Sequence, residues 1–286
     1  MLSTEFTHPD DAAALKILES IPVLPTIMQK VMDIGIEQMA YGTNLASKIR
    51  LSPTQLPKLY NLLPPICKRV GIPEPAFFLE MNPMPNAFAF GDTYTAITIN
   101  SGIVDLLTEQ ELEAALAHEC GHILCRHQLY HTLAYGLTKD LPGFKILDKI
   151  VVEPVKYALL YWNRKSELSC DRVAAFICGP EAVIRLMSRL AGGPKSLTEE
   201  INLIEFAEQA DKFEVVRKDG AWNKTLQGLA VLENDHPFTS VRVRELLRWV
   251  ASDEYLALRK KYPSCPNCYK EFKPGARFCT NCGKQL

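Results

Sequence analysis

The sequence predicts an α+β fold that is mainly helical, with one small β-hairpin or sheet and a metal-stabilised appendix at its C-terminal end. Three observations carry that expectation. Between residues 10 and 250 most stretches set apolar residues at helical spacing between caps and prolines. Only residues 76–81 and 94–100 read as full strands, and residues 262–286 hold four cysteines in two C-x-x-C pairs.

Composition sets the outer limits. The chain has 286 residues, enough for one sizeable domain plus a small module, and its apolar share of 47% and charged share of 23% are those of an ordinary globular protein. The longest run without Asp, Glu, Lys or Arg is 12 residues, 93–104, against the roughly 18 to 20 needed to span a bilayer. No transmembrane segment is expected. The first residues, Met1-Leu2-Ser3-Thr4-Glu5-Phe6, lack the basic start and apolar core of a secretory signal. Nine cysteines without such a signal point to a reducing, cytoplasmic location and to metal rather than disulfides.

Taken in order, residues 10–19 and 26–39 read as helices, and 57–70 as a third interrupted at Pro64-Pro65. Residues 1–55 thus form an N-terminal helical region, a structural subdomain first and a candidate lid over a cleft second. Strands 76–81 and 94–100 flank the breaker Asn82-Pro83-Met84-Pro85-Asn86 and a short extended run, 87–90. That run either offers an unpaired edge to a substrate strand or is a plain hydrophobic hairpin. The capping box Thr108-Glu109-Gln110-Glu111 opens a helix expected to run from 109 to 135. Leu141-Pro142-Gly143 marks a loop; a long helix follows, bracketed by Pro154 in its first turn and Gly179-Pro180 beyond its end. Its apolar stretch 157–162 reads as core, with contact to a membrane surface as the alternative. Further helices are expected at 181–190, at 197–213 behind the capping box Ser196-Leu197-Thr198-Glu199, and at 241–250.

The chemistry concentrates on the first long helix, at His118-Glu119-Cys120-Gly121-His122. Four residues turn a helix by about 400°, so both histidines leave one face and can hold one metal ion. Glu119 lies about 100° round, where a carboxylate reaches a metal-bound water without becoming a ligand. This is the geometry of a zinc peptidase; two merely structural, core-facing histidines are the alternative. A catalytic zinc needs a third protein ligand. His127 and His131 fall about 180° and 220° round the helix from His118 and point away from the site, and position 128 is Gln128. The third ligand is expected from Glu167, with Asp171 four residues on accepting the free ring N–H of a ligand histidine. An exposed acidic helix face is the alternative there.

These residues resemble a family. The run from His118 to His127, the run from Glu167 to Arg172, and His236-Pro237 followed by Arg242 are similar to the HtpX-like and CAAX-prenyl-endopeptidase-like gluzincins, peptidase family M48. Asn86-Ala87-Phe88-Ala89-Phe90-Gly91 resembles the segment preceding the zinc helix in that family, and the likeness covers residues 55–250. The resemblance implies a zinc-dependent endopeptidase with His118, His122 and Glu167 as ligands and Glu119 as general base and acid. It implies that His236 contacts the substrate carbonyl or tetrahedral intermediate and that Arg242, with Asn86 and Ala87, binds substrate. Most relatives carry transmembrane helices; here none is expected.

Cys265-Pro266-Asn267-Cys268 and Cys279-Thr280-Asn281-Cys282 make two knuckles separated by ten residues, a four-thiolate structural zinc site. So short a segment cannot build a core, so metal supplies its folding energy; two disulfides are the alternative. From Arg259 to Leu286 seven basic residues face one acidic, a formal +6 that thiolate–zinc would cut to about +4. With few interleaved aromatics, the tail is expected to meet a protein or anionic surface rather than nucleic acid. Cys67, Cys120, Cys125, Cys170 and Cys178 read as buried small residues.

The expectation is therefore a zinc endopeptidase acting on peptides or unfolded proteins, with a role in quality control. It has an N-terminal region 1–55, a peptidase domain 56–258 and a zinc ribbon 262–286, and it carries one catalytic and one structural zinc. A latent peptidase fold serving as an adaptor through its ribbon is the alternative.

Overall fold

A computed structural model describes residues 1–33, 35–138, 149–218, 238–272 and 275–286. Pro9, at a position where its missing N–H costs nothing, opens helix α1 (Pro9–Glu19), with His8 accepting the Asp10 N–H. The helix expected at 26–39 is two, α2 (Leu24–Asp33) and α3 (Ile36–Ser47), because Gly35 takes a left-handed φ of 69° between them. After β1 (Ile49–Arg50), the segment 57–70 also divides, into α4 (Pro57–Tyr60) and α5 (Leu63–Val70). The break falls at residues 61–62. Pro64 and Pro65 do not interrupt a helix; they sit in the first turn of α5, where proline is tolerated.

Strands β2 (Ala76–Glu80), β3 (Ala87–Phe90) and β4 (Ala96–Asn100) join β1 in a four-stranded sheet of order β1-β2-β4-β3. β2 runs parallel to β4 and β3 antiparallel to it, so the short run 87–90 is a true strand at the sheet's edge. All five β4 residues are buried despite their alternating pattern. Phe77, Ile97 and Ile99 enter the main core on one side; on the other, Tyr41 of α3 lies against Phe78, the register partner of Thr98.

Helices α6 (Ser101–Leu106) and α7 (Glu109–Leu124) follow; Thr108 and Glu111 close the expected capping box on α7. The helix does not continue to 135. Arg126 adopts a φ of 57°, and a separate α8 (Gln128–Thr138) starts beyond it. Helix α9 (Lys149–Cys178) begins earlier than its proline implies and carries Pro154 inside. Beyond α10 (Pro180–Gly192) the expected capping box at 196–199 does not form, because Ser196 to Thr198 lie inside the short α11 (Lys195–Thr198), whose N-cap is Pro194. α12 (Leu203–Lys218) is instead capped by Asn202, whose Oδ1 accepts the Ile204 and Glu205 N–H groups. α13 (Thr239–Val250) and α14 (Asp253–Lys261), capped by Ser252, lead to the cysteine-rich tail. The loop expected at 141–143 lies outside the described residues.

The largest hydrophobic core is shared by α5, the sheet, α7, the C-terminal half of α9, α10 and α13; a second gathers α1, α2, α8 and the N-terminal half of α9. Helix α9 therefore runs through both. Its stretch Tyr157 to Trp162 is core at Leu159, Leu160 and Trp162 and surface at Tyr157 and Tyr161. Among the described residues no helix is long and apolar enough to cross a membrane.

Candidate metal centre

Two packed helices build the site. At Gly121 a side chain would meet Cys170: a Cβ there would stand 3.0 Å from the Cys170 Cα, so only glycine lets α7 approach α9 this closely. The approach sets Glu167 and Asp171 of α9 opposite His118 and His122 of α7. His118 Nε2 lies 3.3 Å from Glu167 Oε2, and His122 Nε2 lies 3.2 Å from Glu167 Oε1. Tetrahedral ligands with zinc–nitrogen and zinc–oxygen bonds of ordinary length would be about 3.4 Å apart. The residues fit the ion.

The opposite ring nitrogens are engaged elsewhere, which leaves both Nε2 atoms for a metal. His118 Nδ1 is 3.0 Å from Asp171 Oδ1, and His122 Nδ1 is 3.2 Å from His127 Nδ1. Burial favours a neutral His118, but Glu167 and Asp171 around its ring outweigh that and push its pKa up to about 10. A field that strong would favour a bound cation. Glu119, 6% exposed, makes no hydrogen bond or ion pair to any described residue, so a buried carboxylate is left for another partner.

Arg242, expected to touch substrate, is buried and committed elsewhere. Its Nε and Nη2 grip Asp171 at 2.8 and 2.6 Å, and Nη1 lies 3.1 Å from Glu167 Oε2. Burial alone would raise the Asp171 pKa, but this bidentate guanidinium holds it below the usual carboxylate value. Ala87 begins the edge strand β3, which packs beside α7, and Asn86 just before it accepts the Asn100 N–H at its carbonyl and extends the ladder. His236 lies outside the described residues.

The histidines expected to point away do not. Because the chain turns at Arg126, α8 folds back and brings His127 and His131 beside His122, with ligand-capable atoms of all three within 4.8 Å of one another. His131 Nε2 sits 3.2 Å from Ser166 Oγ, and His127 Nε2 sits 3.4 Å from Asp11 Oδ2. Burial holds the His127 pKa down, which keeps the ring neutral. Asp11 itself is held below the usual carboxylate value despite burial, because His127, Ser169 and Trp162 all face it. Sequence reasoning missed this group. Arg126 gives no glycine signal for a left-handed turn, and Asp11 looks like an ordinary acid in a helix's first turn.

In the tail, Cys265, Cys268, Cys279 and Cys282 converge within 4.8 Å. Cys265 and Cys282, and Cys268 and Cys279, are each 3.6 Å apart, near the roughly 3.8 Å edge of a tetrahedron with zinc–sulfur bonds of 2.3 Å. The two knuckles repeat one backbone pattern, with a left-handed residue after the second cysteine, Tyr269 or Gly283. The Lys284 N–H draws the Cys282 pKa down to about 6, toward the thiolate a metal needs. The first knuckle docks on the body of the protein. Tyr269 packs over Gly179, Arg259 stacks on Tyr269 at 4.9 Å, and Lys270 pairs with Glu113 at 2.9 Å. None of the nine cysteines is in a disulfide; four of the other five are buried, and Cys125 is half-buried.

A model of peptidase family M48 matches residues 53–250. The chain is 30% identical over 261 residues to the plastoglobule-localized metallopeptidase 48, chloroplastic, of Arabidopsis thaliana, an alignment covering 90% of this chain and 75% of that protein. It is 26% identical over 211 residues to a Protease HtpX homolog of Sulfurovum sp., covering 66% of this chain and 74% of that one. A Protease HtpX homolog of Trichormus variabilis is 27% identical over 228 residues, 69% and 75% of the two chains. No solved structure matches.

Proposed function

This chain belongs to peptidase family M48 and is a zinc metallopeptidase acting on proteins; from that premise we propose an endopeptidase whose catalytic zinc is held by His118, His122 and Glu167. The observation that carries the reading is the convergence of both Nε2 atoms on the Glu167 carboxylate at 3.2 and 3.3 Å, with both Nδ1 atoms engaged behind. When bound, zinc supplies Lewis acidity toward a scissile carbonyl and toward water, whose pKa it lowers to about 7. Glu119, buried and without a partner among the described residues, takes the proton of the attacking water and returns it to the leaving amine. Asp171 holds His118 in the tautomer that frees Nε2, and Arg242 fixes Asp171 and Glu167 against each other rather than touching substrate. His236, by its place in the family's order, supports the developing oxyanion.

The substrate is an extended peptide or unfolded protein laid along the outer edge of β3, with Asn86 and Ala87 at the start of that strand. The four tail cysteines hold a second, structural zinc, which makes 262–286 a ribbon beside a peptidase domain of 56–258 and an N-terminal region of 1–55. Nine cysteines, four of them set for metal and none in a disulfide, support a reducing, cytoplasmic setting, and with it protein quality control. The basic ribbon meets a protein or anionic surface. A latent fold acting as an adaptor is the second reading, favoured by the docked first knuckle.

Zinc content and casein cleavage by wild type, Glu119→Gln, Glu167→Ala and a chain ending at Lys261 decide between them. The endopeptidase reading expects two zinc ions in wild type, one in Glu167→Ala and one in the truncation. Glu119→Gln should keep both while losing cleavage. Cleavage retained by Glu119→Gln would remove Glu119 as the base, and a wild type whose only zinc leaves with the tail would favour the adaptor.

A further inference from the structure

We propose that Asp11, on the first helix of the chain, is a positioning residue that sets the tautomer of His122 through His127. The inference rests on the assignment of His122 as a zinc ligand. Asp11 is 1% exposed, whereas Asp10 beside it is at the surface and pairs with Lys165. Its carboxylate accepts from Trp162 Nε1 at 2.9 Å and from Ser169 Oγ at 2.6 Å, and its Oδ2 faces His127 Nε2 at 3.4 Å.

The tautomers follow from donor and acceptor counting. An ionised carboxylate only accepts, so His127 carries its proton on Nε2 and presents a bare lone pair at Nδ1. Two groups face that lone pair, His122 Nδ1 at 3.2 Å and the buried Cys170 thiol at 3.6 Å. Two ring lone pairs cannot bond to each other, so His122 carries its proton on Nδ1. Its Nε2, the atom 3.2 Å from Glu167 Oε1, is then the one free to bind a cation. His118 reaches the same state directly through Asp171. One ligand is thus oriented from within α9 and the other from the N-terminal helix, across an intervening imidazole.

The test uses the full chain as wild type, Asp11→Asn, Asp11→Leu and Trp162→Phe. Zinc affinity is read by chelator competition, and long-range proton–nitrogen spectra read which nitrogen of each histidine is protonated. Asp11→Leu should bind zinc at the catalytic site roughly ten- to a hundredfold more weakly and show mixed histidine tautomers. Asp11→Asn, whose amide oxygen accepts the same hydrogen bond, should stay close to wild type. Trp162→Phe loosens the hold on Asp11 while keeping an aromatic ring edge-on to His127, where the indole centroid now lies 5.3 Å away, and should also stay close. Asp11→Leu with wild-type affinity overturns the inference, as does Trp162→Phe weakened equally, which would mark a purely structural role for α1. A wild type with His127 protonated on Nδ1 overturns it without any variant. If wild type holds two zinc ions, such a failure concerns Asp11 alone; a wild type holding zinc only in the ribbon defeats the ligand assignment as well.

Discussion

Replacing Gly121 with alanine would set a methyl group 3.0 Å from the Cys170 Cα and 3.2 Å from its Cβ. Ordinary van der Waals contact begins near 3.4 Å, so α7 and α9 must part by at least about 0.4 Å. The glycine lies one residue before His122 and opposite the turn between Glu167 and Asp171, so the movement passes straight into the 3.2 and 3.3 Å contacts of Glu167 with the two histidines. Metal sites tolerate about 0.2 Å in their distances, and a movement twice that size should weaken zinc binding by about tenfold or more. Overpacking adds roughly 1–3 kcal/mol of destabilisation, which lowers the melting temperature of the zinc-free protein by about 2–4 °C for each kcal/mol. Chelator competition measures the first effect and thermal unfolding in excess chelator the second. A Gly121→Ala protein that binds zinc as wild type does and melts at the same temperature would show that helix spacing does not set the ligand geometry.

Two further outcomes follow from the structure. Gly179→Ala would place its Cβ 2.4 Å from the Tyr269 ring at a φ of +96°, which an alanine rarely adopts. The first knuckle should lift off α9, and limited trypsin digestion should remove residues 262–286 faster than in wild type while the ribbon keeps its zinc. Acidification should weaken the docking of α1, since His127 and Asp11 both have folded pKa values below their ordinary 6.5 and 3.8. For each, the unfolded chain binds more protons in the window below the ordinary value, so stability is present above it and is lost as pH falls through it. Trp162 fluorescence, next to Asp11, should report undocking that starts below about pH 6.5 and steepens below about pH 4.

The convergence of His118, His122, Glu167 and Asp171 was legible because helical geometry is local: a spacing of four fixes a shared face whatever the rest of the chain does. The four tail cysteines were legible for a similar reason, since two knuckles can meet in few ways. What sequence could not supply was the turn at Arg126, a left-handed residue with no glycine to announce it. From that one torsion follow the placement of His127 and His131 beside His122 and the burial of Asp11, a contact 116 residues away in the chain. Arg242 misled for a different reason. The resemblance gave it a place beside substrate, whereas the packing of α13 against α9 spends its charge on Asp171 and Glu167.

The edge strand β3 carries a last implication. It is four residues long, bounded by Pro83 and Pro85 before it and Gly91 after it, and among the described residues no strand covers its outer side. So short an edge, fenced by prolines, resists sheet-to-sheet association between copies of the protein. A guest accepted there must present bare backbone amides and carbonyls, which folded proteins keep paired. Discrimination would then rest on the conformation of the guest rather than on its side chains: a protein would become vulnerable by unfolding locally, and would be spared again on refolding.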